Sequence, residues 1–178
     1  MSHVAAVMGA VVTVALAAAG LTLAGVGPAY PQSRPQLGSV VVPFGPGVED
    51  SAFVPDAEEQ LLLMVNEVRE EYHLPPVMMD KGLRGVARSH SRDMAVNGYL
   101  GHGSPQGESF FARLSGVVPR GSLVGENVTA AVNVVRVHAV LVHSQGHLKN
   151  IVNPAFRRVG IGVATAGKLL IATEDFAN

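Results

Sequence analysis

Two stretches in the C-terminal two-thirds of the chain carry apolar residues at helical spacing. In the first, steps of four, three and four residues separate Leu61, Val65, Val68 and Tyr72, which predicts a helix with one apolar face. Its expected start is Asp56 as N-cap, with Glu59 completing a capping box. Pro75-Pro76 is expected to end it.

The second stretch predicts a helix that begins near Asp80 and ends at Asn97-Gly98. Four of its residues share one face: Leu83, Val86, His90 and Met94. His90 is therefore interpreted as a core histidine with a polar partner, for which Asp93 at i+3 is one candidate.

The remaining elements are shorter. A helical turn is expected at Phe110, Phe111 and Leu114, and a third helix over Val134 to Val142. Another short helix is expected to open near His147. A β-hairpin is expected at the end of the chain, with strands 159–164 and 168–173 and a turn around Ala166-Gly167. Helices first and strands last favour an α+β domain with helices on the faces of a sheet.

The N-terminal third differs from this domain. Residues 1–26 contain no Asp, Glu, Lys or Arg, and residues 4–26 are rich in Ala, Val and Leu. Residues 1–29 are thus interpreted either as a secretory signal peptide or as an uncleaved membrane anchor, and both interpretations predict export. If the segment is uncleaved, residues 4–26 would be the only part of the chain in contact with a membrane. The absence of cysteine excludes a lipid-anchored lipoprotein.

Residues 30–56 are rich in proline and glycine and are expected to form an extended linker between the export segment and the domain. Within it, the run Val40 to Val42 offers a possible edge strand. No core residue is expected before residue 57.

Composition limits the kinds of function. The formal net charge of −1 comes with scattered Lys and Arg residues, which gives no basic surface for a nucleic acid. The chain contains no cysteine, so disulfides and thiolate chemistry are excluded. A domain of about 120 residues can bury an adequate core without such crosslinks.

Three residues from separate stretches offer metal-ligand chemistry: His102, Glu126 and His147. Two imidazoles and a carboxylate suit a divalent cation such as zinc. The alternative for each histidine is a solvated or helix-capping side chain, and Glu126 could instead lie at the start of a helix. His143 and His147 are four residues apart, but Ser144-Gln145-Gly146 between them predicts a helix end rather than a helical zinc pair.

The sequence around these residues resembles the CAP superfamily of cysteine-rich secretory, antigen 5 and pathogenesis-related proteins, in its bacterial SCP-like form. Six segments occur in the order found in that family: 57–69, 87–95, 98–102, 125–127, 144–151, and an end in two parts, 159–163 and 173–176. The resemblance implies a CAP domain over residues 57–178, folded as an α-β-α sandwich around a small, mainly antiparallel sheet.

The resemblance also implies that His102, Glu126 and His147 line a groove. Glu126 would accept a hydrogen bond from an imidazole, orient a metal-bound water or bind the metal directly. Leu141 and Ser144 stand where many members of the family have tryptophan and a second glutamate. The family's four-residue cluster is therefore reduced to three here, which disfavours activities that need both carboxylates.

Two functions remain open, beside a third interpretation as a structural envelope protein with a vestigial cluster. The first is an exported binding module whose groove takes a divalent cation and a small ligand, a lipid or sterol, a peptide or a component of the cell envelope. The second is a metal-dependent hydrolase of peptide or cell-wall material, with Glu126 as its general base. Both place the protein outside the cell or in the cell envelope, and neither involves a nucleic acid.

Overall fold

A computed structural model describes residues 42–43 and 45–178. These residues form five helices and six strands, in the order β1 (Val42–Pro43), α1 (Pro55–Glu71), β2 (Met78–Met79), α2 (Lys81–Asn97), β3 (Tyr99–Leu100), α3 (Phe110–Leu114), β4 (Val124–Ala131), α4 (Val134–His143), α5 (Gln145–Ile151), β5 (Arg158–Ala166) and β6 (Leu169–Ala177). The predicted helices are all present.

The main sheet has the strand order β2-β5-β6-β4. Strands β5 and β6 form the predicted antiparallel hairpin, which is longer at both ends than expected and turns at Gly167, where φ is 61°. Strand β2 runs parallel to β5, and β4 runs antiparallel to β6. Strand β4 therefore lies at the edge of the sheet, although no strand was predicted there.

Both faces of the sheet are covered by helices. On one face α2 approaches very closely, because a Cβ added to Gly160 would lie 2.0 Å from the backbone of Leu83. On the other face, α1, α4 and α5 pack on the core residues Val159, Ile161 and Phe176. The predicted α-β-α sandwich is thus confirmed, and hairpin glycines bring α2 against the sheet.

The helix ends correct one prediction. Helix α1 begins at Pro55, and its N-cap is Val54, which makes no side-chain capping bond. The expected capping box of Asp56 and Glu59 was therefore wrong. Proline suits the first helical position because its φ is already helical and it has no N–H to satisfy, so Asp56 falls inside the first turn. Helix α2 begins just after Asp80, as predicted, and the Asp80 carboxylate accepts from two backbone N–H groups at its start.

The residues just before α1 contact the domain. The Val48 N–H donates to the carbonyl of Ala95, and Phe53 forms a β-bridge with Ala164. Val48 also packs against the core, so apolar packing begins before residue 57, contrary to expectation.

Only one residue of the proposed Val40 to Val42 edge strand falls within the described part, and there β1 pairs antiparallel with β3. The proposed signal peptide or anchor over residues 1–29 lies outside it. Among the residues described, no helix combines the length and apolar character that crossing a membrane requires.

The buried Arg69, near the end of α1, contacts the loop that follows α1 and the segment at and after the end of α5. Arg69 is 0% exposed, and its guanidinium donates to four backbone carbonyls at 2.7 to 3.2 Å, those of Pro75, Ile151, Asn153 and Phe156. Two of these oxygens lie at or just after the C-terminus of α5. Arg69 therefore sets where α5 ends relative to α1.

Replacing Arg69 with methionine should lower the free energy of unfolding by about 3 kcal/mol or more, because four buried carbonyls lose a charged donor. Urea unfolding followed by circular dichroism measures the change. Arg136→Met, at an exposed position of α4, is the matched control and should stay within about 0.5 kcal/mol of wild type. A loss below about 1 kcal/mol for Arg69→Met would contradict this role.

Candidate functional site

Glu126 is a buried carboxylate on the edge strand β4, on the α2 side of the sheet. Its Oε1 lies 2.8 Å from Nδ1 of His102, and its Oε2 accepts from Nη2 of Arg113 at 2.7 Å. Burial would raise the pKa of Glu126, but the His102 bond and the charges of His90 and Arg113 outweigh it and lower that pKa. Glu126 is thus ionised, with both oxygens engaged.

The state of Glu126 sets the tautomer of His102. An ionised carboxylate only accepts hydrogen bonds, so Nδ1 of His102 must carry the proton that is shared with Oε1. In the neutral ring the other nitrogen, Nε2, then keeps its lone pair. The His102 side chain is 28% exposed, which leaves that ring accessible from solvent.

The second histidine, His147, lies in the first turn of α5 and is 4% exposed. Neither of its ring nitrogens has a hydrogen-bond partner among the residues that the structure describes. Burial, and then the nearby charge of His102, lowers the pKa of His147 to about 4. His147 is therefore a neutral imidazole near His102 with unused hydrogen-bonding capacity, which is uncommon for a buried polar group.

The segment Gly125-Glu126-Asn127 positions both histidines. Glu126 holds His102, while the buried Asn127 amide donates to the backbone carbonyl of His147 at 3.2 Å. Asn150 in turn donates to the side-chain oxygen of Asn127 and to the backbone carbonyl of Glu126. Gly125 makes room for it, since a Cβ there would lie 2.7 Å from Oδ1 of Asn150.

Asp175 is a second carboxylate beside Glu126, and it was not singled out from the sequence. The register of β4 and β6 pairs the two residues directly. Burial and the charge of Glu126 raise the pKa of Asp175 well above its usual range, so Asp175 is the protonated member of the pair. The segment 173–176 resembled the family, but only the register shows that Asp175 faces Glu126.

Arg113 of α3 was missed as well. Its side chain is 7% exposed, and Nη2 donates both to Glu126 and to the backbone carbonyl of His102. The sequence showed only the apolar residues of this helical turn. No spacing rule connects an arginine at 113 to a glutamate at 126.

Within residues 42–43 and 45–178, no group of three or more His, Cys, Asp or Glu side chains is arranged to hold a metal ion. Both carboxylate oxygens of Glu126 are taken up by hydrogen bonds with His102 and Arg113. The side chains here whose chemistry would suit a cation, and whose hydrogen-bonding capacity is not used up by contacts within the described part of the chain, are the imidazoles of His102 and His147.

Two other histidines have structural contacts. Nε2 of His90 lies 2.8 Å from the carbonyl oxygen of Gly101 and 3.9 Å from Glu126. It is a buried core histidine with a polar partner, as predicted, although the partner is Gly101 and not Asp93. His143 ends α4 and contacts its own helix. The helix break at Ser144 separates it from His147, as expected.

Comparison with known proteins identifies the family. The family model for CAP, the cysteine-rich secretory protein family, matches residues 62–175. The chain belongs to the CAP family. The predicted resemblance is thereby confirmed, and the matched region contains all of the site residues described above.

Two relatives of this CAP domain come from Bacillus species. It is 31% identical over 120 residues to Bacillus subtilis YkwD, covering 67% of this chain and 46% of YkwD. It is also 31% identical to an extracellular SCP-domain protein from Bacillus anthracis, with a TM-score of 0.63, covering 70% of this chain and 41% of that one. The chain thus spans less than half of each relative.

An outer surface protein from Borrelia burgdorferi shares the fold. It has a TM-score of 0.65 at 16% identity, and the match covers 72% of this chain and 98% of that protein. Some CAP-domain proteins similar to this chain are therefore extracellular or on the outer surface.

Glu174 supplies a test of the polar network behind His147. It is 0% exposed and accepts from the Asn127 amide. Burial, opposed by that bond, raises the pKa of Glu174 from 4.5 to about 7. Between about pH 4.5 and pH 7, Glu174 therefore keeps its proton in the folded protein but has lost it in the unfolded chain. The raised pKa thus contributes stability that is fully present below pH 4.5 and is lost as the pH rises through 7.

Glu174→Gln should therefore become more stable relative to wild type as pH rises from 5 to 8, by up to about 3 kcal/mol. Urea unfolding at both pH values measures this gap. Glu70→Gln, at an exposed position of α1, controls for the loss of one negative charge. If the difference in free energy of unfolding between Glu174→Gln and wild type is the same at pH 5 and pH 8, Glu174 is charged in the folded protein.

Proposed function

We propose that this protein is an exported binding module whose groove takes a divalent cation, zinc being the best candidate, through His102 and His147. Beside the cation the groove would hold a small ligand, a lipid or sterol, a peptide or a component of the cell envelope. Glu126 would orient the His102 ring by accepting a hydrogen bond from Nδ1–H of His102. Glu126 would take no part in a chemical reaction.

The state of His147 is the observation that supports this proposal most directly. A buried imidazole with no hydrogen-bond partner in the described part of the chain forgoes about 1–3 kcal/mol. A bound cation would relieve that cost. A histidine that binds a metal must be in its neutral form, and the lowered pKa of His147 meets this requirement over the physiological range.

The tautomer of His102 supports the same site. Histidines that bind metals commonly donate their other ring N–H to a carboxylate, which sets the ring orientation and strengthens the ligand. Glu126 provides that carboxylate at 2.8 Å. Two protein ligands would leave coordination positions open for water or a ligand, where the ion would act as a Lewis acid.

The contacts of Glu126 favour a binding module over the metal-dependent hydrolase. A general base needs an oxygen that can take a proton from water, whereas both oxygens of Glu126 are hydrogen-bonded and its pKa is lowered. Asp175 does not replace it, because its raised pKa leaves it protonated.

Export is proposed from the uncharged stretch over residues 1–26. The extracellular relative from Bacillus anthracis is in accord with it. The protein would then act outside the cell or within the cell envelope.

Added zinc should raise the melting temperature of the protein by mass action. At a free concentration ten times Kd, one site adds about 1.4 kcal/mol to the free energy of unfolding. His102→Ala and His147→Ala should each abolish this rise, while Glu126→Gln should weaken zinc binding about ten- to a hundredfold through the loss of His102 orientation. Differential scanning calorimetry with and without zinc measures all four proteins.

His143→Ala is the matched control, since it removes an exposed histidine near His147 and should keep the full response to zinc. Each variant is compared with its own metal-free form, so a change in intrinsic stability does not affect the result. An equal response in wild type and a variant lacking both His102 and His147 would overturn the proposed cation site.

A further inference from the structure

A cavity of about 270 Å³ lies between α2, the loop over residues 103–109 and α3. Its lining is polar: hydroxyl groups come from Ser89 and Ser104, carboxylates from Asp93 and Glu108, and a guanidinium from Arg113. Neither His102 nor His147 lines it. The cavity adjoins the candidate cation site through Arg113, which reaches Glu126 on its other side.

Arg113 has donors that the described protein leaves unused. Its Nη2 makes both of its hydrogen bonds, whereas the buried Nε and Nη1 have no partner among residues 42–43 and 45–178. A buried N–H group without an acceptor costs about 1–3 kcal/mol. A side chain that is nine-tenths buried, lines a cavity and lacks acceptors points to a ligand that supplies them.

The charges around the cavity exclude a simple anion as that ligand. The positive charge of Arg113 is already matched by Glu126 at 2.7 Å, and Asp93 and Glu108 add negative charge to the walls. Asp93 accepts from the Tyr99 hydroxyl and from Asn97, yet a carboxylate has about four acceptor sites and so retains some. The lining of the cavity therefore contains both N–H donors and carboxylate acceptors.

We propose that this cavity binds an uncharged amide group of a ligand, with the amide carbonyl accepting from Arg113 and the amide N–H donating to a wall carboxylate. A peptide and an N-acetylated sugar both present this group. The proposal assigns chemistry to the ligand of the binding module above. It needs no cation, and the two can fail separately.

The test is a titration of the full-length, ¹⁵N-labelled protein by NMR in the presence of a chelator, so that no metal contributes. The probes are a blocked alanine tripeptide, acetyl-Ala-Ala-Ala-amide, and N-acetylglucosamine. Either probe should shift the backbone amides of His90, Ser104 and Arg113 in a saturable way, and the tighter one identifies the source of the amide. Glucosamine, acetate and phosphate, which lack an amide, should not.

Two variants test the role of the cavity by different means. Arg113→Lys keeps a positive charge beside Glu126 but removes the guanidinium donors, and should raise Kd for the better probe at least about tenfold. Ser89→Phe adds bulk at an exposed lining position without removing any of the hydrogen bonds of Arg113, and should abolish the shifts. Their controls are Arg136→Lys and Lys81→Phe, at exposed positions away from the cavity, which should bind as wild type does.

Absence of saturable shifts with both amide probes would overturn the proposal, as would equal shifts with acetate or phosphate. Unchanged binding in Ser89→Phe would also overturn it, even if Arg113→Lys fails to fold. None of these results bears on the cation site, which the chelator keeps empty throughout.

Discussion

The site depends on one buried carboxylate on an edge strand. An ionised carboxylate in a protein interior is tolerated only when it is paired and hydrogen-bonded, and Glu126 meets that condition with His102 on one oxygen and Arg113 on the other. These bonds fix the His102 ring, place α3 against the loop that carries His102, and require Asp175 on the next strand to stay protonated.

The position of Glu126 at the sheet edge explains how residues from opposite faces of the sheet contribute to one site. His102 lies on the α2 side with Glu126, while His147 belongs to α5 on the other side and is held through Asn127. Adjacent residues of a strand point to opposite faces. Glu126 therefore contacts His102 on one side of the sheet, and Asn127 contacts His147 on the other. The two histidines therefore come near each other at the sheet edge without a side chain from the centre of the core.

Much of the fold could be predicted from local pattern. The apolar stripes of α1 and α2, the start of α2 near Asp80 and the final hairpin each follow from spacing or turn chemistry within a short segment. Tyr72 is the exception, because it lies beyond the end of α1 and is exposed. Strand β4 could not, because residues 125–129 are buried on both faces and show no alternation of apolar and polar residues. The start of α1 was misplaced because the helical preference of Pro55 at the first position prevailed over a capping pattern.

In the site, too, residues within recognisable short segments could be predicted, whereas residues brought in by tertiary contacts could not. His102, Glu126 and His147 were found because their neighbours resemble a family, and Asn127 and Gly125 belong to the same segment. Arg113 and Asp175 reach Glu126 only through tertiary contacts, namely the packing of α3 and the register of β4 on β6. The resemblance grouped Glu126 with the histidines, but it did not show that Arg113 occupies the second oxygen of Glu126 or that Asp175 lies beside it.

The most direct test of the account is a long-range ¹H–¹⁵N correlation spectrum of the histidine rings, recorded without metal and then with zinc. We expect His102 to be protonated on Nδ1 before zinc is added. Zinc should then shift the ¹⁵N resonances of Nε2 of His102 and of one ring nitrogen of His147. A proton on Nε2 of His102 in the metal-free protein would contradict the role given to Glu126. If zinc left the nitrogens of both rings unshifted, the histidine pair would not be a cation site.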